Sequence, residues 1–394
     1  MTTKYRFTPN TYRGFVLASL SAVTLAAGCD DEKAGSGKAP PKSATPRTYG
    51  EAAPAGAPAA PAVDPEKVLA MAKPLFQPLD AEAKSETNPW TQEKADLGRM
   101  LYYETRLSKS QGLSCNSCHD LANYGVDVRE VDGKRMKTSE GHKKAFGDRN
   151  SPTVYNAAFH LAQFWDGRAA DVEEQAKGPI LNPVEMAMLD EAGVLVVLSS
   201  IPGYVEAFEA AFPEDEESIS YDNLAKAIGA FERKLVTPSK FDTFIAGDAS
   251  ALSDTEAAGL QTFMEVGCTQ CHSGALLGGN QFQKLGNVKP WPDLEDEGRF
   301  MITKAAPDKY SFKVPSLRNI TETGPYLHDG SIESLEEMVK KMAEHQLAKG
   351  ALSDDETESI LTFLATLTGE VDESYIAKPE LPESGPDTPT PDAT

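Results

Sequence analysis

The sequence predicts a mainly α-helical protein whose body consists of two tandem domains related by internal duplication. Apolar residues recur with the period of a helix in several segments, and no sustained run alternates as a strand does. The same short motifs occur twice with equal spacing. Each set of motifs follows one Cys-x-x-Cys-His motif, so the two halves have the same plan.

Helix boundaries are marked most clearly by two capping boxes. Ser253 with Glu256 opens one apolar-periodic segment, and Ser353 with Glu356 opens another. Gly369 is expected to end the second helix. Helical periodicity also predicts helices near residues 91–103, 168–177, 203–212, 221–236 and 331–346.

The repeat consists of three short motifs in each half. They are Pro-Thr-Val-Tyr-Asn at 152–156, Trp-Asp-Gly at 165–167 and Glu-Glu-Gln at 173–175, and then Pro-Ser-Leu-Arg-Asn at 315–319, His-Asp-Gly at 328–330 and Glu-Glu-Met at 336–338. In both halves 14 residues separate the first Pro from the Asp, and 7 separate that Asp from the first Glu. Agreement at several offsets indicates duplication.

The N-terminus resembles a bacterial lipoprotein signal. Three basic residues precede an apolar run at 15–27, which ends in small residues followed by Cys29. The run is too short to span a bilayer. We therefore predict a lipoprotein signal peptide at 1–28, lipidation of Cys29, and a periplasmic protein anchored by lipid to a bacterial membrane. The alternative is an ordinary cleaved signal with an incidental Cys29.

Composition suggests the remaining organisation. Residues 29–84 are predicted to form a flexible Ala/Pro-rich tether, because the segment after Cys29 has too few large apolar residues to form a core. The two domains are predicted at 85–237 and 238–370. The Pro-rich, acidic tail at 371–394 is expected to be partly disordered.

Two Cys-x-x-Cys-His motifs predict two covalently attached c-type haems. Their residues are Cys115, Cys118 and His119 in the first motif, and Cys268, Cys271 and His272 in the second. Each thiol pair attaches one haem, and each His is the proximal iron ligand. A disulfide or half of a zinc site is the alternative. Zinc ribbons pair Cys-x-x-Cys motifs across short loops, whereas 149 residues lie between Cys118 and Cys268.

The net charge of −22 describes an acidic surface. Such a surface repels nucleic acid and anionic lipid headgroups. It favours a small redox partner that presents a positive patch, with an association that depends on salt. The five cysteines leave none for a structural disulfide, because four belong to the haem motifs and the fifth is Cys29.

The repeat distinguishes the two haem sites by their second iron ligand. Met342 lies 13 residues after Asp329, whereas the equivalent residue after Asp166 is Pro179, which has no ligand atom in its side chain. This predicts Met ligation of the second haem and a less obstructed distal side for the first. Met342 could instead be a core residue, with Met338 as a rival ligand.

Several further stretches are similar to bacterial di-haem cytochrome c peroxidases over about residues 85–370. They are residues 139–142, 149–154, 163–168, 175–179, 183–186 and 325–330. This resemblance implies two cytochrome c-like domains. It implies that His142 is the displaceable distal ligand of the N-terminal, peroxidatic haem, and that Met342 ligates the electron-entry haem. Trp165 would lie between the haems, with Gln175 and Glu185 lining the peroxide pocket.

The resemblance also implies a calcium site between the domains. Its ligands would be Asn150 and the backbone carbonyls of Thr323 and Pro325. One amide and two carbonyls carry little charge, so binding would be modest and suited to a switch. A homodimer is common in the family and cannot be inferred from this sequence.

The physical chemistry of the residues fits these roles, and each has a plainer alternative. Glu185 could exchange protons with peroxide, or be a solvated carboxylate. Trp165 could be a core aromatic, and His142 a surface histidine. His160 and His345 are expected to be structural or exposed, and His328 to lie near the second haem.

We therefore predict a cytochrome c peroxidase that reduces hydrogen peroxide to water with electrons from a cytochrome c or a cupredoxin. Electrons would enter at the second haem and pass by way of Trp165, with release of His142 opening the first. One alternative is a di-haem oxidase that modifies a partner protein, whose members have Tyr in place of Met342. The other is an electron carrier, for which Glu185 and Gln175 would have no use.

Overall fold

The computed structural model describes residues 63–392 and 394. Its helices are α1 (Pro65–Ala72), α2 (Gln92–Tyr103), α3 (Cys115–Cys118), α4 (Val172–Leu181), α5 (Glu191–Ser199), α6 (Pro202–Ala211), α7 (Tyr221–Glu232), α8 (Lys240–Ala246), α9 (Asp254–Glu265), α10 (Phe300–Thr303), α11 (Leu335–Gln346), α12 (Asp354–Ala365) and α13 (Glu373–Ile376). Short 3-10 turns lie at Thr105–Leu107, Leu121–Asn123, His142–Lys144, Ala157–Phe159, Ala249–Ala251, Cys268–Gln270 and Ala306–Asp308.

Strands are few in the described part of the chain. Strand β1 (Glu130–Val131) pairs with β2 (Lys134–Arg135), and β3 (Phe282–Lys284) pairs with β4 (Ser311–Lys313), both antiparallel. The mainly α-helical prediction is therefore confirmed. Both predicted capping boxes are present, at the starts of α9 and α12. Helix α12 ends at Ala365, so Gly369 is not its terminator.

Each half is built on one close crossing of two helices. Helix α2 crosses α7 at Gly98, where a Cβ atom would lie 1.9 Å from the Ala227 carbonyl oxygen. Helix α9 crosses α12 at Gly259, where a Cβ would lie 2.2 Å from the Ser359 oxygen. Only glycine permits backbones to approach so closely. The two crossings give both halves the same scaffold.

The repeated motifs have the same backbone conformation in both halves. Asn156 and Asn319, at matched positions, are left-handed with φ of 60° and 58°. Phe164 and Leu327 are likewise left-handed, with φ of 63° and 73°. Both asparagine amides donate to one hydroxyl, that of the buried Thr237, at 2.8 Å each. These matches are what an internal duplication predicts.

The flexible tether predicted at residues 29–84 includes residues that are folded, beginning with α1. Residues from α1 belong to the core of the C-terminal half, where Val68, Leu69 and Phe76 are buried with Phe263 and Phe363. Val68, Leu69 and Ala72 lie on one face of α1, which is why that face can pack, and Phe76 follows shortly after the helix. The signal peptide, Cys29 and the tether up to residue 62 lie outside the described residues.

The C-terminal tail packs against the N-terminal half, contrary to the expected disorder. Ile376 is buried beside Tyr103, whose hydroxyl donates to the Ile376 carbonyl at 2.6 Å. Farther along, the Arg106 guanidinium donates to the Pro382 carbonyl at 2.8 Å. Proline-rich chain needs no helix to be ordered when side chains of the body bind its free carbonyls.

Helix α5 was not predicted because its sequence is apolar almost all round, so it lacks helical periodicity. Helices α5 and α6 form a bent pair with an angle of 104° between them. The pair has the length and composition of a membrane span only when both helices are taken together. No single helix among the described residues is long and apolar enough to cross a membrane.

Candidate haem sites and peroxide pocket

The first Cys-x-x-Cys-His motif begins in the single turn of α3. Ser114 caps this turn together with Ser117. His119 follows directly, and its Nδ1 atom lies 3.4 Å from the Gly125 carbonyl oxygen. A proximal His that bonds through Nδ1 presents Nε2 to a metal. Burial lowers the pKa of His119, which keeps the imidazole neutral as a ligand must be.

The second motif has the same arrangement at tighter distance. His272 Nδ1 lies 2.8 Å from the Leu277 carbonyl oxygen, and burial lowers its pKa as well. All four motif cysteines are free thiols in the structure. No group of three or more His, Cys, Asp or Glu side chains in the described chain is placed to hold a metal ion. The arrangement therefore favours covalent haem over a disulfide or a zinc site.

A largely apolar cavity of about 220 Å³ lies beside the second motif. Cys268, Cys271 and His272 line it, and Met338 and Met342 reach it from α11. Thiols, an imidazole and a thioether that line one apolar cavity fit a covalently attached haem with a His and a Met ligand. Both methionines lie on the same face of α11, one turn apart, so either thioether could be the iron ligand.

The fourth residue of each repeated motif holds the chain just after the proximal His. In the first half, the Tyr155 hydroxyl donates to the Leu121 carbonyl at 2.8 Å. In the second half, Arg318 Nε donates to the Ala275 carbonyl at 2.9 Å and its guanidinium binds Asp242. In both sites, a side chain at the same repeat position thus binds the backbone after the proximal His, although the residue type differs.

A tight turn brings Glu185 to the first haem motif. The Met186 amide donates to the Pro179 carbonyl at 3.2 Å, so the chain doubles back under the end of α4. Burial raises the pKa of the thiols of Cys115 and Cys118, and the nearby Glu185 charge raises both further. Glu185 therefore lies within electrostatic range of the attachment site of the first haem.

The environment of Glu185 favours holding a proton. Burial raises the pKa of this carboxyl, against the pull of Arg168 and a hydrogen bond from Asn182. A carboxyl with a raised pKa can both accept and return a proton near neutral pH. Gln175 lies on α4 and is half-buried, but no hydrogen bond joins the described side chains of Gln175 and Glu185.

His142 is buried and is bound directly to the Glu185 segment. Its amide donates to the Glu185 carbonyl at 2.8 Å. At the preceding Gly141, a Cβ atom would lie 2.2 Å from the Val184 oxygen, so only glycine lets the two segments touch. The structure therefore brings His142 and Glu185 together and excludes the surface-histidine alternative.

Trp165 comes from the N-terminal half but lines the cavity of the C-terminal half. Its Nε1 donates to the Asn150 carbonyl at 2.9 Å, and its own carbonyl accepts from the Lys313 amide at 2.8 Å. Its ring lies edge-on to His328, with 6.4 Å between ring centroids. His328 also lines this cavity, as predicted. Trp165 thus forms part of the wall of the second site, although its sequence belongs to the first half.

All three residues predicted to hold calcium line the second cavity. They are Asn150, Thr323 and Pro325. However, the Arg135 guanidinium donates to the carbonyls of the flanking residues Glu322 and Gly324, at 3.0 and 3.1 Å. A cation already binds this loop, which opposes a second one through like charge.

Sequence reasoning missed Glu232, the last residue of α7. Its side chain is 5% exposed, and burial raises its pKa to about 8. Its charge acts on the Cys115 thiol, which places it beside the first haem motif. No motif marks this residue. The only signal is a Glu at the end of the predominantly apolar buried face of α7.

Glu232 should make stability depend on pH. Because its folded pKa of about 8 exceeds the ordinary 4.5, its contribution to stability is complete below the ordinary value. It is then lost as pH rises through the folded pKa. The free energy of unfolding should fall by roughly 1.4 kcal/mol per pH unit in this window. Glu232→Gln should flatten that slope, as measured by chemical denaturation at several pH values. An equal slope in both proteins would contradict the assignment.

Comparisons with known proteins agree with this geometry. Residues 92–250 match the family model described as di-haem cytochrome c peroxidase. The cytochrome c551 peroxidase of Pseudomonas aeruginosa is 43% identical over 327 residues, 81% of this chain and 91% of that protein. The cytochrome c551 peroxidase of Nitrosomonas europaea is 44% identical over 324 residues, 82% of this chain and 91% of that protein.

A solved structure supports the same assignment. The crystal structure of a MauG-like protein associated with microbial copper homeostasis superposes with a TM-score of 0.66 at 28% identity. The match covers 76% of this chain and 97% of that one. Together with its two covalent haem motifs, these similarities show that the chain belongs to the di-haem cytochrome c peroxidase family.

Proposed function

We propose that this protein reduces hydrogen peroxide to water with two electrons from a small redox protein. The relatives named above are cytochrome c551 peroxidases. The single observation that carries the proposal is the buried Glu185 carboxyl, with its raised pKa, beside the first haem motif. An electron carrier needs no proton donor at that place.

Haem, when bound, supplies the iron at which peroxide is reduced. The protein must deliver two protons for each peroxide, since two water molecules form. Glu185 is suited to move a proton from one peroxide oxygen to the other, because its pKa lies closer to neutral pH than that of an exposed glutamate. Arg168 acts electrostatically on Glu185, so it helps Glu185 to release the proton again.

The His142 loop would cover the distal side of the first haem, since it is bound to the Glu185 segment. Lys143 and Lys144 in this loop have left-handed backbone, with φ of 53° and 59°. Such conformations are strained for side-chain-bearing residues. We propose that this strain helps the loop to leave, so that His142 withdraws and opens a path to Glu185.

Electrons would arrive at the second site and reach the first by way of Trp165. Its indole lies at the cavity of the second site, and its backbone carbonyl is held by the Lys313 amide. The donor would be a cytochrome c or a cupredoxin with a positive surface, because the net charge of −22 favours such a partner.

Met342 should be the distal ligand of the second haem. Met342→Ala should change the absorption spectrum of that haem and lower its midpoint potential, because Met ligation raises the potential. Spectroelectrochemical titration measures both. Met338→Ala is the matched control, since it removes the other thioether from the same helix face. If Met338→Ala alone gives the change, Met338 is the ligand.

Stopped-flow spectroscopy tests the function. Oxidised and half-reduced protein are mixed with hydrogen peroxide, with and without calcium. We expect the half-reduced form to react rapidly. If neither form reacts faster than a simple six-coordinate cytochrome, the proposal fails. The calcium arm tests the Asn150 site, at which we propose binding that is modest because the Arg135 guanidinium already binds the same loop. Rates independent of calcium would leave no role for that site.

We also propose export and lipid anchoring at Cys29, on the sequence of residues 1–29 alone. Cys29→Ser should move the protein from the membrane fraction to the soluble fraction of the cell. An unchanged membrane fraction would rule out a lipid at Cys29.

A further inference from the structure

A buried Lys–His pair joins the two halves at the cavity of the second haem. Lys313, on β4, is 6% exposed. Its ammonium nitrogen lies 2.9 Å from His160 Nδ1 and donates to the Ala162 carbonyl at 2.8 Å. Both side chains line the cavity beside Cys268 and Cys271. Of the two roles expected for His160, structural or exposed, its hydrogen bond to Lys313 and its buried Nε2 favour the structural one.

Lys313 forms no ion pair with the described residues. The acidic group that acts on it is Asp166, whose carboxylate is already bound by Arg149 at 2.6 Å and Arg168 at 3.1 Å. A buried ammonium without an anion is costly. Accordingly, burial lowers the pKa of Lys313 to about 7. The second cavity therefore has a buried cation, Lys313, with no anion beside it among the described residues.

His160 has a second ring nitrogen, on the side of the imidazole away from Lys313. Its Nε2 is buried and has no hydrogen-bond partner in the part of the chain that the structure describes. Its ring is fixed by Gly279, where a Cβ would lie 2.5 Å from the imidazole Cδ2. A buried nitrogen without a partner calls for one. The other ring nitrogen, Nδ1, accepts from Lys313, so His160 holds the ammonium in place at the cavity wall.

The lining of the cavity indicates which anion is missing. Apart from its histidines, Lys313 is the only ionisable nitrogen side chain on the described walls, and no carboxylate side chain lines them. A haem attached at Cys268 and Cys271 would bring two propionate carboxylates into this space. We propose that Lys313 binds a propionate of the second haem and keeps it ionised, while His160 Nδ1 accepts a hydrogen bond from the ammonium and holds it in place.

This pair would tune the electron-entry site. A cation held at the haem edge disfavours the more positive ferric state, so it raises the midpoint potential. The Lys313 amide also holds the Trp165 carbonyl at 2.8 Å. One residue would therefore set both the charge at the second haem and the position of the indole. The inference rests on haem attachment, not on peroxidase activity.

The test is the midpoint potential of the second haem in the purified holoprotein as a function of pH. Lys313→Met should lower the potential. It should also make the potential fall as pH rises across neutrality, because a propionate without its cation takes up a proton when the iron is reduced. Lys313→Arg should restore the wild-type potential. Lys284→Met is the control, since it removes an exposed charge from the paired strand β3.

Equal potentials in Lys313→Met, Lys284→Met and wild type would overturn the proposal. If Lys313→Met does not take up haem, infrared difference spectra of wild type decide, with the propionate carboxyls isotopically labelled. They should show no protonated propionate of the second haem in either redox state at neutral pH. A propionate that gains a proton on reduction would refute the pairing.

Discussion

Glu185→Gln should reduce the turnover of hydrogen peroxide by about a hundredfold or more, while both haems remain attached. General acid–base groups contribute roughly 10²–10⁴-fold to such steps. The amide keeps the shape of the carboxyl but cannot accept a proton. Because the Glu185 backbone still binds the His142 amide, the loop should keep its position. Steady-state kcat with a reduced cytochrome c as donor measures the effect.

Glu206→Gln provides the matched control for this variant. Glu206 is an exposed carboxylate on α6, the helix that follows α5. Its loss removes the same charge without touching the first haem motif, so kcat should stay near the wild-type value. A Glu185→Gln protein with wild-type kcat would end the acid–base role of Glu185, while the haem assignment would stand.

Arg318→Met should lower the free energy of unfolding by about 3–5 kcal/mol, since it leaves a buried carboxylate without its partner. Arg318 is 1% exposed and binds Asp242 through both terminal nitrogens, at 2.5 and 2.8 Å. The variant also frees the Ala275 carbonyl beside the second haem motif. Chemical denaturation of the holoprotein, followed by circular dichroism, gives the change.

A second substitution separates the lost ion pair from lost packing. Adding Asp242→Asn to Arg318→Met removes the unpaired charge, so the double variant should be more stable than Arg318→Met alone. A double variant that is less stable than Arg318→Met would show that Asp242 acts mainly through its bonds to Ser239 and the Leu79 amide.

The sequence predicted those helices whose signals are local. Neighbouring residues alone determine the caps at Ser253 and Ser353. They also determine the apolar faces of α2, α7 and α11. Helix α1 was missed because a short helix in a Pro/Ala-rich region becomes stable only through distant partners such as Phe363. The tail was missed for the same reason, since its order depends on side chains such as Arg106.

The site was predictable to the extent that motifs recur. The repeat placed Trp165 and His328 at equivalent positions, and they meet at one cavity. It gave no sign that Tyr155 and Arg318 both donate to a backbone carbonyl just after the proximal His, one through a hydroxyl and the other through a guanidinium. Glu232 and Lys313 carry no motif at all. Their roles arise from burial, which only the folded chain reveals.

Trp165 and His160 complete a cavity that belongs to the other half of the chain. The two halves are therefore not interchangeable parts, although they share a scaffold. A chimera could join the first half of one relative to the second half of another. The residues at positions 160 and 165 would then come from one relative, and the rest of the wall of the second cavity from the other. In a chimera joined at residue 237, the cavity of the second half should be mismatched. The mismatch should disappear if residues 160–165 are taken from the same relative as the second half.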